Sequence, residues 1–490
     1  MIASRDSSIS ILTDTAYIGG AWREGKSRFA VHNPATGETI AQVSDCDAAL
    51  VHEAIEAAAK ALPAWSACTA TERSRLLRAW FTLIMERQEE LARIMTLEQG
   101  KPLAEARGEI AYGASFVEWF AEEAKRIYGE TIPAPSPDKR IVVIKQPVGV
   151  VAAITPWNFP NSMITRKAAP ALAAGCTFVV RPSSATPLSA LALAKLADMA
   201  GFPPGVFNVV TSTESRGIGE VFTQHPKVAK FSFTGSTEVG KELMAQCSST
   251  VKRVSLELGG NAPFLVFDDA DLDAAVQGAL ASKYRNAGQT CVCTNRFLVQ
   301  RSVHDIFAEK FARAVTRLRV GNGLEPDVDI GPLISRAAVE EMDALVQEAL
   351  AAGAELVVGG GPHQLGGQYY QPTIVKNVRN NMALASREIF GPVAPLIVFD
   401  TEEEGIALAN DTRFGLAAYL YSRDVGRVWR VAEDLEYGMV GINEGIISNA
   451  AAPFGGVKES GLGREGSQHG MDEYLELKYL CLGGIDADSP

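Results

Sequence analysis

The chain has 490 residues, too many for one ordinary core, so two or three domains are expected. With 47% hydrophobic and 21% charged residues, it reads as a globular protein and not a disordered one. A net charge of −12 argues against a nucleic-acid partner, whose phosphates need a basic face, but leaves room for a small anion in a local arginine pocket.

The opening residues, MIASRDSSISILTD, lack the basic start and apolar run of a secretory signal. Seven cysteines in so long a chain do not make a disulfide framework, which points to a reducing, cytoplasmic setting. Residues up to about 125 read mostly as helix. Within them, 72–95 places Leu76, Trp80, Leu83 and Ile84 at helical spacing. A proline-rich loop at 133–137 precedes 140–145, a β-branched run that looks like part of a hairpin.

From 148 to 260 the pattern changes. Short apolar runs at 148–155, 178–181, 207–210, 230–234 and 253–258 alternate with helical segments such as 187–200 and 238–246. That alternation implies right-handed crossovers and a parallel sheet covered on both faces, an α/β nucleotide-binding pattern. The longest nearly apolar run, 148–157, is far short of the roughly 20 residues of a membrane span. A second α/β stretch, about 261–450, offers strands at 263–267, 297–300, 396–399 and 416–421. The tail, 473–480, alternates polar and apolar residues. It suits a terminal strand, paired either with another subunit's sheet edge or within its own chain.

Four loops carry candidate chemistry, and each has a plain structural reading beside the functional one. In Asn286-Ala-Gly-Gln-Thr-Cys291-Val-Cys293, a thiol in a polar loop after a helix can be a nucleophile, although most free cysteines are buried small hydrophobes. Cys293 is either a redox partner of Cys291 or a packed thiol. Glu257 ends a strand, where a carboxylate can serve as a base or simply be solvated. In Thr155-Pro-Trp-Asn-Phe-Pro160, Asn158 can offer an amide N–H to an oxyanion or cap the next helix. In Phe233-Thr-Gly-Ser-Thr-Glu-Val-Gly240, Gly235 and a helix N-terminus can cradle a pyrophosphate. The G-x-x-x-x-G spacing is not the dinucleotide fingerprint, however, and an ordinary turn explains it equally.

Taken together, the blocks TPWNFP, FTGSTEVG, LELGGNAP, NAGQTC, REIFGP and PFGGVKESGLGREG stand in one order. With them the chain resembles the aldehyde dehydrogenase superfamily from about Tyr17 to Leu480. The resemblance implies a Rossmann-like cofactor-binding domain (1–125 and 148–258, with 451–469 returning to it) and an α/β catalytic domain (259–450). It also implies a β-strand oligomerisation arm (126–147 and 470–490) that builds a homodimer or homotetramer. It casts Cys291 as nucleophile, Glu257 as the base for a hydrolytic water, and Asn158 with the Cys291 N–H as the oxyanion site. NAD or NADP would be held by Thr155, Trp157, Arg181, Ser184, Gly235, Ser236, Glu388 and Phe390. The presence of Glu257 favours release of a free acid over transfer to coenzyme A.

Relatives usually carry Lys where Arg181 stands, and NAD-strict relatives carry Glu where Ser184 stands. The small neutral Ser184, with Arg181 available to a 2′-phosphate, implies that NADP is accepted. Within the superfamily the chain is most similar to succinate-semialdehyde dehydrogenases, through Arg166, Arg285 and Ser448 and the segments around them. There a planar arginine fork suits the substrate's distal carboxylate. The bland readings are a surface ion pair for Arg166 and a helix-end cation for Arg285. Glu444 departs from some relatives and would either repel that anion or orient an arginine. Glutarate semialdehyde, sulfolactaldehyde and a broad aldehyde range are the alternatives, with a cofactor-free thiol esterase more distant.

Overall fold

The computed structural model describes residues 9–485 of the chain. Among these residues two large sheets organise the fold. The first has eight strands in the order Ala21–Arg23, Ala16–Ile18, Phe207–Val209, Thr177–Arg181, Val150–Ile154, Val228–Thr234, Arg253–Glu257 and Gly461–Leu462. Its five inner strands are parallel. Val150–Ile154 and Thr177–Arg181 are buried at every position, as expected of parallel strands with helices on both faces.

Chain order reverses at Val150–Ile154, whose neighbours Thr177–Arg181 and Val228–Thr234 lie on opposite sides. Ligand sites in such sheets sit beyond the strands' carboxyl ends at this kind of switch point. The Thr155–Pro160 loop leaves the sheet there. The second sheet has seven strands, with Ala262–Val266 between Thr294–Gln300 and Ala417–Tyr421. Cys291 lies just before the strand Thr294–Gln300. Glu257 ends the strand Arg253–Glu257 of the first sheet, and residues 258–261 lead directly into the second.

Three sequence expectations need correction or choice. Residues 9–45 are not helical: among the described residues four strands precede the first helix, Ala48–Ala67. Gly19 and Gly20, both at positive φ, make a two-residue hairpin turn between Ile18 and Ala21, a strand signal that the helical reading passed over. The periodic run at 72–95 is two helices, Ala70–Glu86 and Gln88–Gln99, because Arg87 leaves helical geometry at φ −105°, ψ 17°. The tail strand, Leu475–Leu482, pairs antiparallel with Arg140–Pro147 of its own chain, and this strand pairs with Glu130–Ile132. Residues 1–8 and 486–490, at the ends of two expected domains, lie outside the described residues.

The 442–449 loop is seated by glycine contacts. A Cβ on Gly445 would stand 2.3 Å from the Gly278 carbonyl oxygen, and one on Gly278 would stand 1.8 Å from the Tyr421 hydroxyl. This close approach holds Ser448 near the end of the helix Leu272–Tyr284, where Arg285 follows. Gly278→Ala gains helix propensity but forces the buried Tyr421 ring to move. We expect a net destabilisation of roughly 1–3 kcal/mol, seen as a lower apparent melting temperature. An unchanged or raised midpoint would contradict the packing described.

Candidate active site

Cys291 is reached from the helix Leu272–Tyr284 through a strained turn. Asn286 and Ala287 both adopt left-handed φ, 53° and 54°, which non-glycine residues hold only when neighbours fix them. The neighbours are present. A Glu105 carboxylate oxygen accepts the Asn286 N–H at 2.8 Å, and Gln99 donates to the Asn286 side-chain oxygen at 2.9 Å. The Asn286 amide donates to the carbonyls of Asn158 and Gln289 at 3.0 and 3.1 Å. The Asn158 amide also donates to the Gln289 carbonyl, at 3.1 Å. Asn158 and the thiol loop are therefore one hydrogen-bonded unit. Asn158 does not cap the following helix; Asn161 holds that position.

Beneath this unit lies a buried ion pair. Lys101 Nζ is 2.6 Å from Glu109 and donates to the Asn158 carbonyl at 2.8 Å. The other Glu109 oxygen accepts the N–H groups of Asn161 and Ser162, at the start of the helix Ser162–Ala174. Sequence reasoning missed both residues, because nothing in their own segment marks them.

A cavity of about 240 Å³ opens on Cys291 and brings together Trp157, Asn158, Gly235, Ser236, Glu388 and Phe390. Ser236 is the N-cap of the helix Thr237–Cys247, whose first N–H groups have no partner within the helix. The neighbouring Thr234 hydroxyl is buried without a protein partner. Glu388 accepts the Gly260 N–H at 3.0 Å. Phe390 is held at φ 53° with its ring edge-on to Trp157, centroids 5.6 Å apart. Unpaired N–H groups, a free hydroxyl, a carboxylate and two aromatic rings around one cleft fit a pyridine dinucleotide, with its pyrophosphate at the helix N-terminus.

Thr155, Arg181 and Ser184 do not line this cavity. Thr155 N–H donates to the Arg181 carbonyl at 3.2 Å, across adjacent strand ends. The Arg181 guanidinium is turned inward, donating to the Ser212 carbonyl at 3.0 Å and the Ser215 hydroxyl at 2.7 Å. Ser184 is partly exposed, and the helix that follows is capped at Thr186.

On its other side, Cys291 shares a chamber of about 20 Å³ with Arg166, Arg285 and Ser448. Tyr112 and Phe454, both unforeseen, complete the wall. Arg166 is no surface residue: its whole helix is buried, its guanidinium lies 4.2 Å from the Phe454 ring centroid, and it is ion-paired with Glu465. Glu465 also pairs with Lys167. Arg285 does cap the preceding helix, as its plain reading held, yet it faces the chamber and stacks 5.3 Å from the Phe159 centroid. Glu444 turns to its own loop. It is exposed and accepts the N–H groups of Gly445 and Ile446 within its own loop.

Burial raises the pKa of both acids of the site. Glu257 is 3% exposed, with one carboxylate oxygen unpartnered. Burial and the nearby Glu465 push its pKa well above the ordinary value, against the pull of Arg166, Lys167 and Arg464. Burial likewise takes Glu388 to about 7, with the Gly260 N–H opposing. The Cys291 thiol is pushed up to about 12, chiefly by burial; Arg166 and Arg285 lower it while Glu257 and Glu388 raise it. Cys293 is buried, with its thiol donating to the carbonyls of Lys283 and Thr294 at 3.4 Å.

Only the thiolate reacts with alkylating agents. With a pKa far above neutrality, the thiolate fraction grows with every increment of pH. Iodoacetamide should therefore label Cys291 of the nucleotide-free protein about tenfold faster per pH unit between pH 7 and 9. A plateau below pH 8, read by peptide mapping, would show a thiol already ionised.

Comparison with known proteins agrees with this geometry. The model of the aldehyde dehydrogenase family matches residues 22–480. The chain is 62% identical over 472 residues to a glutarate-semialdehyde dehydrogenase of Pseudomonas aeruginosa, covering 96% of this chain and 98% of that one. It is 59% identical over 479 residues to a 3-sulfolactaldehyde dehydrogenase of Pseudomonas putida, covering 97% and 98%. It is 60% identical over 476 residues to an NADP(+) succinate-semialdehyde dehydrogenase of Escherichia coli, again covering 97% and 98%. With a family match across nearly its whole length, the chain belongs to the aldehyde dehydrogenase family and is an NAD(P)-dependent enzyme.

Proposed function

We propose that the protein oxidises an aldehyde with a distal anionic group, first of all succinate semialdehyde to succinate. Glutarate semialdehyde and 3-sulfolactaldehyde are the close alternatives. One observation carries this reading: Arg166, Arg285 and Ser448 line a single small chamber with Cys291. Two guanidinium groups and a hydroxyl suit an anionic tail, and the chamber sets that tail beside the thiol. The three relatives bear names of aldehydes that share such a tail.

The steps follow from the chain's own groups. Cys291 attacks the aldehyde carbon as a thiolate, forming a carbon–sulfur bond. The resulting oxyanion is met by the Asn158 amide and the Cys291 N–H. Trp157, Gly235, Ser236, Glu388 and Phe390 would hold NAD or NADP, which would supply the hydride acceptor needed to oxidise the adduct to a thioester. Glu257 takes a proton from the water that then cleaves the carbon–sulfur bond, which releases the acid and restores the thiol. The raised Glu257 pKa suits a base that must accept a proton and later lose it.

Glu388 is assigned to the nicotinamide ribose, Trp157 and Phe390 to its ring, and Gly235 and Ser236 to the pyrophosphate. Thr155 and Arg181 form the adenosine end, and Ser184 leaves room for a 2′-phosphate. Since the Arg181 Nη2 is already engaged by Ser212 and Ser215, acceptance of NADP rests mainly on Ser184. The proposal includes the domain division given above, with the three-stranded sheet serving as the arm of a homodimer or homotetramer. Its strand Leu475–Leu482 exposes Leu477 and Tyr479 on one face and Leu480 and Leu482 on the other, apolar surface suited to a subunit contact.

Steady-state formation of reduced nicotinamide tests the reading. Succinate semialdehyde should exceed butanal in kcat/KM by about ten- to a hundredfold, the worth of a charge-assisted contact of roughly 1.5–3 kcal/mol. Equal values would make this a general aldehyde dehydrogenase. Glu257→Gln should give a burst of reduced nicotinamide, then turnover slowed about a hundredfold or more, as the thioester accumulates. Undiminished turnover would remove Glu257 from the mechanism.

A further inference from the structure

Tyr112 stands where three cavities meet. It lines the 20 Å³ chamber with Arg166, Arg285 and Ser448, a 270 Å³ cavity bounded by Lys101 and Arg285, and a 500 Å³ outer cavity bounded by Arg78 and Trp119. Its ring is fixed edge-on against Phe116 at a centroid distance of 5.0 Å and an interplanar angle of 84°. Its hydroxyl is buried and makes no close hydrogen bond, with Ser448 and Arg166 as the polar groups beside it. Buried polar groups are nearly always paired, so such an orphan aimed into a cavity marks the place of a ligand atom.

The chamber has other unspent donors. Arg166 gives its Nε side to Glu465, while its Nη2 is buried without a partner. Burial raises the Tyr112 pKa above the ordinary phenol value, against Arg166 and Ser448, so the hydroxyl keeps its proton and can donate. A neutral donor beside two cations adds directional hydrogen bonding to an anion that charge alone would hold loosely.

We propose that the Tyr112 hydroxyl donates a hydrogen bond to the distal anionic group of the substrate, and that its ring is the wall limiting tail length. The proposal rests on the anionic-tail reading given above. On that reading Tyr112 is a specificity-determining residue: the hydroxyl selects charge, and the ring separates the chamber from the 500 Å³ cavity into which a longer tail would reach.

Two substitutions divide these roles. Tyr112→Phe keeps the wall and removes the donor. It should lower the ratio of kcat/KM for succinate semialdehyde to that for butanal by about tenfold, mostly through KM, since the contact is made in ground state and transition state alike. Tyr112→Ala opens the wall. It should raise kcat/KM for glutarate semialdehyde relative to succinate semialdehyde. Circular dichroism and the melting temperature report whether each variant folds. Arg285→Ala serves as the reference. If it lowers the semialdehyde-to-butanal ratio while Tyr112→Phe leaves that ratio unchanged, the Tyr112 proposal is overturned and the anionic-tail reading stands. If neither variant moves the ratio, both fall.

Discussion

The structure is constrained above all by the burial of charge around Glu465. This carboxylate lies in the interior and pairs with both Arg166 and Lys167, with Glu257 close enough for the two acids to repel each other. Removing one partner from a buried ion pair typically costs 3–5 kcal/mol, because the other charge is stranded. The cluster therefore holds only as a whole. It also explains why the chain returns late to the first sheet. The strand Gly461–Leu462 pairs with Glu257's own strand, with Leu256 opposite Leu462 and Glu257 opposite Gly461, and so delivers Glu465 to Arg166 and Lys167. Fold and site depend on the same contact.

A second buried pair performs the matching task on the opposite side of the thiol. Lys101 and Glu109 lie before and within the helix Leu103–Glu123, yet they end on the Asn158 carbonyl and on the first N–H groups of the helix that bears Arg166. An oxyanion donor is useful only if it is already in place when charge develops. Asn158 is gripped by Lys101 and Asn286 at its carbonyl and by Gln289 at its amide, so little reorganisation is left for it to make.

Much of the site was legible because its chemistry sits in short loops at the ends of strands. Thr155–Pro160 and 286–293 announce themselves through proline, glycine and cysteine in a few consecutive residues. The parallel core strands were equally plain, since burial on both faces leaves unbroken apolar runs. What escaped notice was assembled from distance. Glu465 reaches Lys167 across 298 positions, and Glu109 reaches Asn161 across 52. Neither separation leaves a trace in local periodicity. The early strands were missed for another reason: they are three to seven residues long, and their hairpin depends on a glycine pair rather than on alternation.

The two departures from the usual family pattern resolve differently once their hydrogen bonds are known. Glu444 folds back onto its own loop and accepts the N–H groups of Gly445 and Ile446. Arg181 holds the loop after the strand Phe207–Val209, so it acts first as a fixed part of the sheet's ligand-facing edge. Cys293 follows the same logic. Its thiol is engaged by two carbonyls behind the Cys291 cavity, and a bond between the two sulfurs would require it to abandon both. A side chain's chemistry in this fold is thus decided less by its type than by whether its hydrogen-bonding capacity is already used. By that criterion Thr234, Arg166 and Tyr112 are among the groups left open, and all three line the cavities that Cys291 faces.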